Sequence, residues 1–113
     1  MSQANVDLAH LARYTGGDEA LNAEVLRLFD EQATELVSRL QSVLDARDTK
    51  SWKHVMHTLK GAARGIGAFK FADACAFAEQ IDPADVNHAR PALAALKSSA
   101  ETVQDFIRSY LAR

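Results

Sequence analysis

The stretch His57-Thr-Leu-Lys-Gly-Ala-Ala-Arg-Gly-Ile-Gly67 continues an amphipathic pattern that begins near Lys50. At about 100° per residue, one helical face collects the apolar side chains of Trp52, Val55, Met56, Leu59, Ala63 and Ile66. His57 falls almost opposite this face. The residues on its outward side are Lys50, Lys53, His54, Lys60, Gly61 and Arg64. The pattern predicts a helix that buries one face and presents a histidine to solvent inside a basic patch.

Gly61 is unusual in this helix, because glycine in a helix interior costs about 1 kcal/mol relative to alanine. The apolar pattern continues beyond Gly61, so nothing local requires a break. Side chains four residues apart are neighbours on a helix, so an absent side chain at position 61 leaves His57 open to a bulky reactant. The alternative is that Gly61 only permits close helix packing. The outward histidine, the lysine at i+3 and the glycine at i+4 together favour access.

Length and composition predict one soluble globular domain over residues 1–113, with 48% hydrophobic and 25% charged residues. The net charge of −2 gives no general reason to bind nucleic acid or an anionic membrane. The single cysteine, Cys75, excludes an intramolecular disulfide, and its apolar neighbours favour a buried structural thiol. The N-terminus lacks signal-peptide features and no apolar run is long enough to span a membrane, so we expect a cytoplasmic protein.

Hydrophobic periodicity predicts helices over residues 6–13, 19–46, 50–66 and 70–80, and a fifth that extends to the C-terminus. Asp18, and either Asp48 or Thr49, are expected N-caps, and Gly67 is placed to end the third helix. Pro91 fits the first turn of the fifth helix. No segment has a convincing strand pattern. The predicted fold class is therefore all-α, an antiparallel four-helix bundle with a short additional N-terminal helix.

Several residues of the predicted helices have no assigned partner. The second helix has an apolar seam formed by Leu26, Phe29, Ala33, Leu36, Leu40 and Val43. Leu21, Val25 and Leu28 lie off this seam. Either the first helix covers them, or they belong to a partner-docking surface next to the histidine face. His10 and His88 are assigned to positions in or near loops, without a partner.

The motif His57-Thr58-Leu59-Lys60-Gly61, followed by Ile66-Gly67-Ala68, resembles the signature of histidine-containing phosphotransfer (HPt) domains. The resemblance covers nearly the whole chain. Similar residues of that family correspond to Gly16-Gly17-Asp18 before the second helix and to Phe71, Cys75, Ala78 and Glu79 after the motif. Phe71 and Ala78 stand where leucine is more usual and Gly65 is an extra glycine, departures that concern packing and the helix end.

The resemblance implies that a receiver-domain aspartyl phosphate phosphorylates His57, which then passes the group to a response-regulator aspartate in a multistep phosphorelay. The partners would be receiver domains of a hybrid sensor kinase and of response regulators. The magnesium ion and the accepting carboxylate would belong to the receiver, which fits the lack of an acidic cluster on the predicted active face. The chain would need no cofactor or metal of its own, and we expect a monomer.

The chemistry of the predicted face agrees with this role. Neutral imidazole is a nucleophile, and phosphoryl transfer mainly needs positioning and charge stabilisation. Lys60, one turn after His57, can pair with phosphoryl oxygens, and Arg64 can add longer-range attraction. The sequence has no glycine-rich phosphate loop and no room for an ATP-binding domain. We therefore predict a phosphoryl carrier, not a kinase or other enzyme.

Two alternatives remain open at this point. His54 and His57 could ligate zinc at i, i+3, although no third or fourth ligand is evident. The protein could also be a non-catalytic helical adaptor that docks receiver domains or other partners through the same face. An adaptor would tolerate His57→Gln with unchanged binding, whereas a carrier would lose its activity.

Overall fold

The computed structural model describes residues 5–113, which contain five helices and no strand. The helices are α1 (Leu8–Thr15), α2 (Glu19–Asp45), α3 (Thr49–Gly65), α4 (Phe69–Glu79) and α5 (Val86–Leu111). The four longer helices form a ring, in which α2 and α4 each pack against both α3 and α5. Successive helices are joined by short loops and therefore run antiparallel. The predicted four-helix bundle with a short N-terminal helix is confirmed.

Aspartate side chains begin three of the helices. Asp7, Asp18 and Asp48 each accept a hydrogen bond from the backbone N–H three residues further on. Asp18 is the predicted cap of α2, and Asp48 caps α3 in preference to Thr49. Gly67 has a φ of 79°, the left-handed conformation that follows many helix ends, so it ends α3 as predicted.

The structure corrects the starts of α1 and α5. α1 begins at Leu8 because Asp7 is its cap, two residues later than predicted. α5 begins at Val86, so Pro91 lies inside the helix and the prediction that it occupies the first turn is wrong. Among residues 86–90 only Ala89 is buried, so periodicity is too weak to reveal this extension. Pro91 is exposed and forgoes one backbone hydrogen bond there.

The hydrophobic core lies between the four bundle helices. All six residues of the predicted apolar face of α3 are buried. The apolar residues that periodicity places on one face of α5 are buried as well: Leu93, Leu96, Ala100, Val103, Ile107 and Tyr110. On α2 the predicted seam residues Leu36 and Val43 are only half-buried, and Leu44 is buried instead. On α4, periodicity predicts that Phe71, Ala74, Cys75 and Ala78 face inward; Ala74 is only half-buried, and Ala72 is buried. None of the helices in the described part of the chain has the length and hydropathy of a membrane-crossing segment.

Buried polar contacts fix the helices relative to one another. The indole N–H of Trp52 on α3 donates to the carbonyl of Ala78 on α4 at 2.8 Å. The Thr15 hydroxyl donates to Asn22 Oδ1 at 2.5 Å, and Asn22 Nδ2 donates to the Tyr110 hydroxyl at 3.3 Å. The hydrogen bonds of Thr15, Asn22 and Tyr110 join α1, α2 and α5. Such fully satisfied buried polar groups favour one helix register over others.

The loop between α3 and α4 contacts the residue that begins α1. The Asp7 backbone N–H donates to the Gly67 carbonyl at 3.0 Å. A Cβ at Gly67 would lie 2.7 Å from the backbone oxygen of Asp7, closer than non-bonded atoms tolerate. Both the close approach and the positive φ therefore require glycine at this position.

Candidate functional site

His57 lies midway along α3 on the solvent side. Its side chain is 70% exposed, whereas Met56 and Leu59 are fully buried beneath it. The predicted outward histidine is therefore observed. Other exposed residues on the same face of α3 are Lys50, Lys53, His54, Gly61 and Arg64. The helix therefore holds the imidazole in solvent, while its opposite, apolar face is fixed in the core.

Gly61 leaves open space next to the imidazole. A Cβ at this position would have no other heavy atom within 4 Å, apart from the immediate chain and the helix backbone. No neighbouring helix uses the space, so close helix packing does not explain the glycine. An approaching group can enter where a longer side chain would otherwise lie beside His57.

Glu79 brings a carboxylate from α4 to the histidine face. Its Oε1 accepts a hydrogen bond from Lys60 Nζ at 2.7 Å, and its Oε2 lies 3.4 Å from His57 Nδ1. The sequence indicated no acidic cluster on this face, and Glu79 was noted only as part of the family resemblance. Periodicity within α3 could not reveal it, because the contact is made between two helices.

Lys60 is less free than its position on the helix suggested. Its side chain is only 18% exposed and ends at the Glu79 carboxylate. The ammonium group therefore lies close to the imidazole but is already paired. A phosphoryl group on His57 would have to share Lys60 with Glu79.

The charge of Glu79 is set by this pairing. The hydrogen bond from Lys60 and the positive charge of its ammonium hold the pKa of Glu79 below its ordinary value, with a smaller contribution from His57. Partial burial acts in the opposite direction. Glu79 is therefore ionised at neutral pH and accepts hydrogen bonds without donating any.

This pairing predicts how stability depends on pH. Because the folded-state pKa is lower than the ordinary 4.5, Glu79 stabilises the fold above that value, and the contribution is lost as the pH falls through the lower folded pKa. As the pH falls below 4.5, the free energy of unfolding should fall more steeply for wild type than for Glu79→Gln. Urea denaturation across this range measures the difference. Asp73→Asn, an exposed change on the same helix, should follow wild type, whereas equal slopes for wild type and Glu79→Gln would contradict the prediction.

Arg64 is exposed on α3 and forms no ion pair within the described residues 5–113. It is therefore available for longer-range attraction, as the sequence suggested. Across the same residues, no group of three or more His, Cys, Asp and Glu side chains could hold a metal ion. His54 and His57 accordingly find no further zinc ligands there.

The other two histidines lie in helices close to loops, and the structure supplies the partners that the sequence did not indicate. His10 lies in α1, where its ring meets Tyr14 and Phe69 edge-on at centroid distances of 5.6 and 5.1 Å. His88 lies in the first turn of α5, with Nδ1 2.8 Å from Asp85. Both have local partners that account for their positions.

Cys75 is fully buried in α4. Burial raises the pKa of its thiol to about 12; the Lys60 charge lowers the pKa and that of Glu79 raises it. The thiol is therefore protonated at neutral pH, and only the thiolate is an effective nucleophile. This agrees with the structural role expected from the sequence.

The apolar residues off the α2 seam have different environments. Leu21 and Leu28 are 45% and 56% exposed, so the expectation that the first helix covers them is wrong for these two. Val25 is partly buried against the core. A docking role for the exposed pair stays a prediction.

The sequence model of the Hpt domain matches residues 24–106, which include all of α3 and α4 and most of α2 and α5. The protein therefore belongs to the HPt domain family, and the predicted resemblance is confirmed. Hpt domains are histidine phosphotransfer modules of phosphorelays, where they interact with receiver domains as phosphoryl carriers. Searches of curated proteins and of solved structures found no match.

Proposed function

We propose that this protein accepts a phosphoryl group on His57 from a receiver-domain aspartyl phosphate and passes it to a response-regulator aspartate. The observation that carries the proposal is the solvent-facing imidazole beside the open space at Gly61, in a chain that belongs to the HPt family. The donor receiver would belong to a hybrid sensor kinase. The chain itself acts as a carrier without ATP-dependent kinase activity.

In the proposed reaction, an imidazole nitrogen forms a bond to phosphorus while the bond to the aspartyl oxygen breaks. The electron pair of the broken bond leaves with the carboxylate of the receiver. Lys60 supplies a nearby positive charge for the phosphoryl oxygens, and exposed Arg64 adds a weaker attraction. The receiver provides the magnesium ion and the aspartate, so no cofactor of this chain takes part.

The proposed docking surface surrounds His57. Exposed Lys53 and Arg64 give it a basic character, which suits the acidic phosphorylation pocket of a receiver and chiefly favours association rate and specificity. α2 packs against α3 and, because a short loop joins the two helices, runs antiparallel to it, so α2 before its midpoint lies towards the C-terminal end of α3. Exposed Leu28 and Leu21 extend the surface in that direction. We propose that a cytoplasmic monomer makes small, transient contacts of this kind.

A receiver-profiling phosphotransfer assay tests the proposed function. Purified receivers of the same organism, each carrying a labelled aspartyl phosphate, are mixed with the protein and sampled over time. At least one receiver should label the protein, and the label should be labile in acid and stable in alkali, as phosphohistidine is. If none of the receivers transfers its label, the proposed function is wrong.

Gly61 predicts opposite effects on stability and on transfer. Gly61→Ala should raise the free energy of unfolding by about 0.5–1 kcal/mol, because alanine is the better helix former and no other helix is in the way. Gly61→Gln should also keep the helix stable but place a longer side chain next to His57. We expect its phosphoryl acceptance to be slower by about tenfold. Urea denaturation and initial transfer rates test both effects; wild-type transfer by Gly61→Gln would show that the space is not used.

A further inference from the structure

A groove between α3 and α4 adjoins the histidine face. Its lining residues are Lys53, Lys60, Ala76, Glu79 and Gln80. We propose that Lys53 binds the phosphoryl oxygens once the phosphoryl group is attached to His57, and so holds the phosphorylated side chain against this groove. This inference rests on the proposed role of His57 as the phosphoryl carrier, but it concerns the phosphorylated protein alone, before a receiver docks.

The direction of the His57 side chain favours Lys53 over the cations that follow it in the chain. The Cα–Cβ bonds of an α-helix tilt towards its N-terminus, so a side chain covers the turn that precedes its own Cα. Lys53 precedes His57 by four residues and is therefore its neighbour in that turn. Arg64 follows His57 by seven residues, beyond the open space at Gly61. We therefore expect a phosphoryl group at the end of the ring to lie closer to Lys53 than to Arg64.

Lys60 and Lys53 differ in how their charges are paired. Lys60 Nζ donates to Glu79 Oε1 at 2.7 Å, so the opposite charges of these two side chains largely offset each other. Lys53 is exposed, and across residues 5–113 it takes part in no ion pair. Glu79 Oε2 lies 3.4 Å from His57 Nδ1, so a phosphoryl group on the ring brings further negative charge close to a carboxylate. The unpaired ammonium of Lys53 offsets this repulsion.

Lysine suits a contact that forms and is released in each cycle of transfer. Its ammonium group is a compact charge with rotatable donors on a flexible stem. The Lys53 side chain can therefore pair with the phosphoryl oxygens when the group arrives and release them when a receiver removes it. The contact needs no rearrangement of the bundle, because the side chain moves through solvent while its backbone stays in α3.

Phosphorus NMR of the full chain tests this inference without a receiver. Phosphoramidate, which gives its phosphoryl group to histidine and releases ammonia, is used to phosphorylate wild type, Lys53→Ala, Lys53→Arg and the control Lys50→Ala. The signal that is missing from His57→Gln is assigned to His57. Its ³¹P chemical shift is then followed against pH, which gives the pKa of the phosphoryl group in each protein.

The expected result is a change in the phosphoryl pKa that is specific to Lys53. A cation in contact favours the dianion, so Lys53→Ala should raise this pKa by about 0.5, whereas Lys53→Arg should stay near wild type. Lys50 is exposed on the same helix but one turn further from His57, about a Debye length away. Lys50→Ala removes the same charge and should follow wild type.

The lifetime of the phosphorylated protein supplies the second readout. The P–N bond of phosphohistidine is labile in acid, so a higher phosphoryl pKa should shorten its half-life at neutral pH. An increase of about 0.5 in the pKa corresponds to about a threefold shorter half-life for Lys53→Ala. The inference is wrong if the ³¹P titration or the half-life of Lys53→Ala matches that of Lys50→Ala.

A role in docking alone gives a different outcome. Lys53→Ala would then associate more slowly with receivers while its ³¹P titration stayed that of wild type, and this result would also overturn the inference. Phosphoramidate labelling needs no receiver, so the titration does not depend on whether a cognate receiver exists. A negative receiver-profiling result would therefore overturn the proposed function separately.

Discussion

His57→Gln should abolish phosphoryl acceptance while the bundle stays folded. Glutamine has no nucleophilic nitrogen, so transfer from a phosphorylated receiver should fall by about a thousandfold or more. The side chain is 70% exposed and lies outside the core, so the free energy of unfolding should change by no more than about 0.5 kcal/mol. Labelled transfer and urea denaturation of the same preparation measure the two quantities.

The matched control for this experiment is His54→Gln. His54 is exposed on the same helix, one turn before His57, and it should keep the transfer activity of wild type. The two variants, His57→Gln and His54→Gln, also distinguish a phosphoryl carrier from a non-catalytic adaptor. A carrier loses its signalling output with His57→Gln, whereas an adaptor keeps both partner binding and output. Retained labelling of His57→Gln would place the phosphoryl group on another residue and overturn the assignment.

Gly67→Ala should destabilise the protein by about 2–4 kcal/mol. The positive φ of 79° alone costs an L-residue about 1–2 kcal/mol. The added Cβ would also lie 2.7 Å from the Asp7 backbone oxygen, and that backbone must move to accommodate it. We therefore expect the start of α1 to separate from the α3–α4 loop. Urea denaturation measures the loss, and hydrogen exchange at the Asp7 amide reports the separation.

Gly65→Ala is the control for this prediction. Gly65 ends α3, and a Cβ there would meet nothing within 4 Å in the surrounding structure. Alanine should leave stability unchanged or raise it by up to about 1 kcal/mol. If Gly67→Ala were as stable as Gly65→Ala, the contact with Asp7 would not constrain the fold.

The sequence predicted the features that depend on one helix alone. His57 could be placed in solvent because the apolar face of α3 repeats regularly, and Asp18 and Gly67 mark helix ends through local backbone chemistry. Gly61 was recognised because it breaks helix preference without breaking the pattern. These features depend on residues within a few turns of one another, and helical periodicity records such relations directly.

The features that the sequence did not predict arise between helices. Lys60 appeared outward from its angle on α3, but its long side chain reaches across to Glu79 on α4. The start of α5 was missed because residues before Pro91 have little apolar surface to bury. The exposure of Leu28 depends on how little of α2 the short α1 covers. The periodicity of a single helix contains no information on contacts between helices.

The location of His57 has a consequence for the order of events in a relay. One imidazole projects from one side of the bundle, and every incoming domain has to approach it from that side. Under the proposed function, donor and acceptor receivers would therefore compete for the surface around His57 and would not be bound together. Exchange would alternate between them, and an excess of dephosphorylated donor would slow delivery to the acceptor because it occupies that surface.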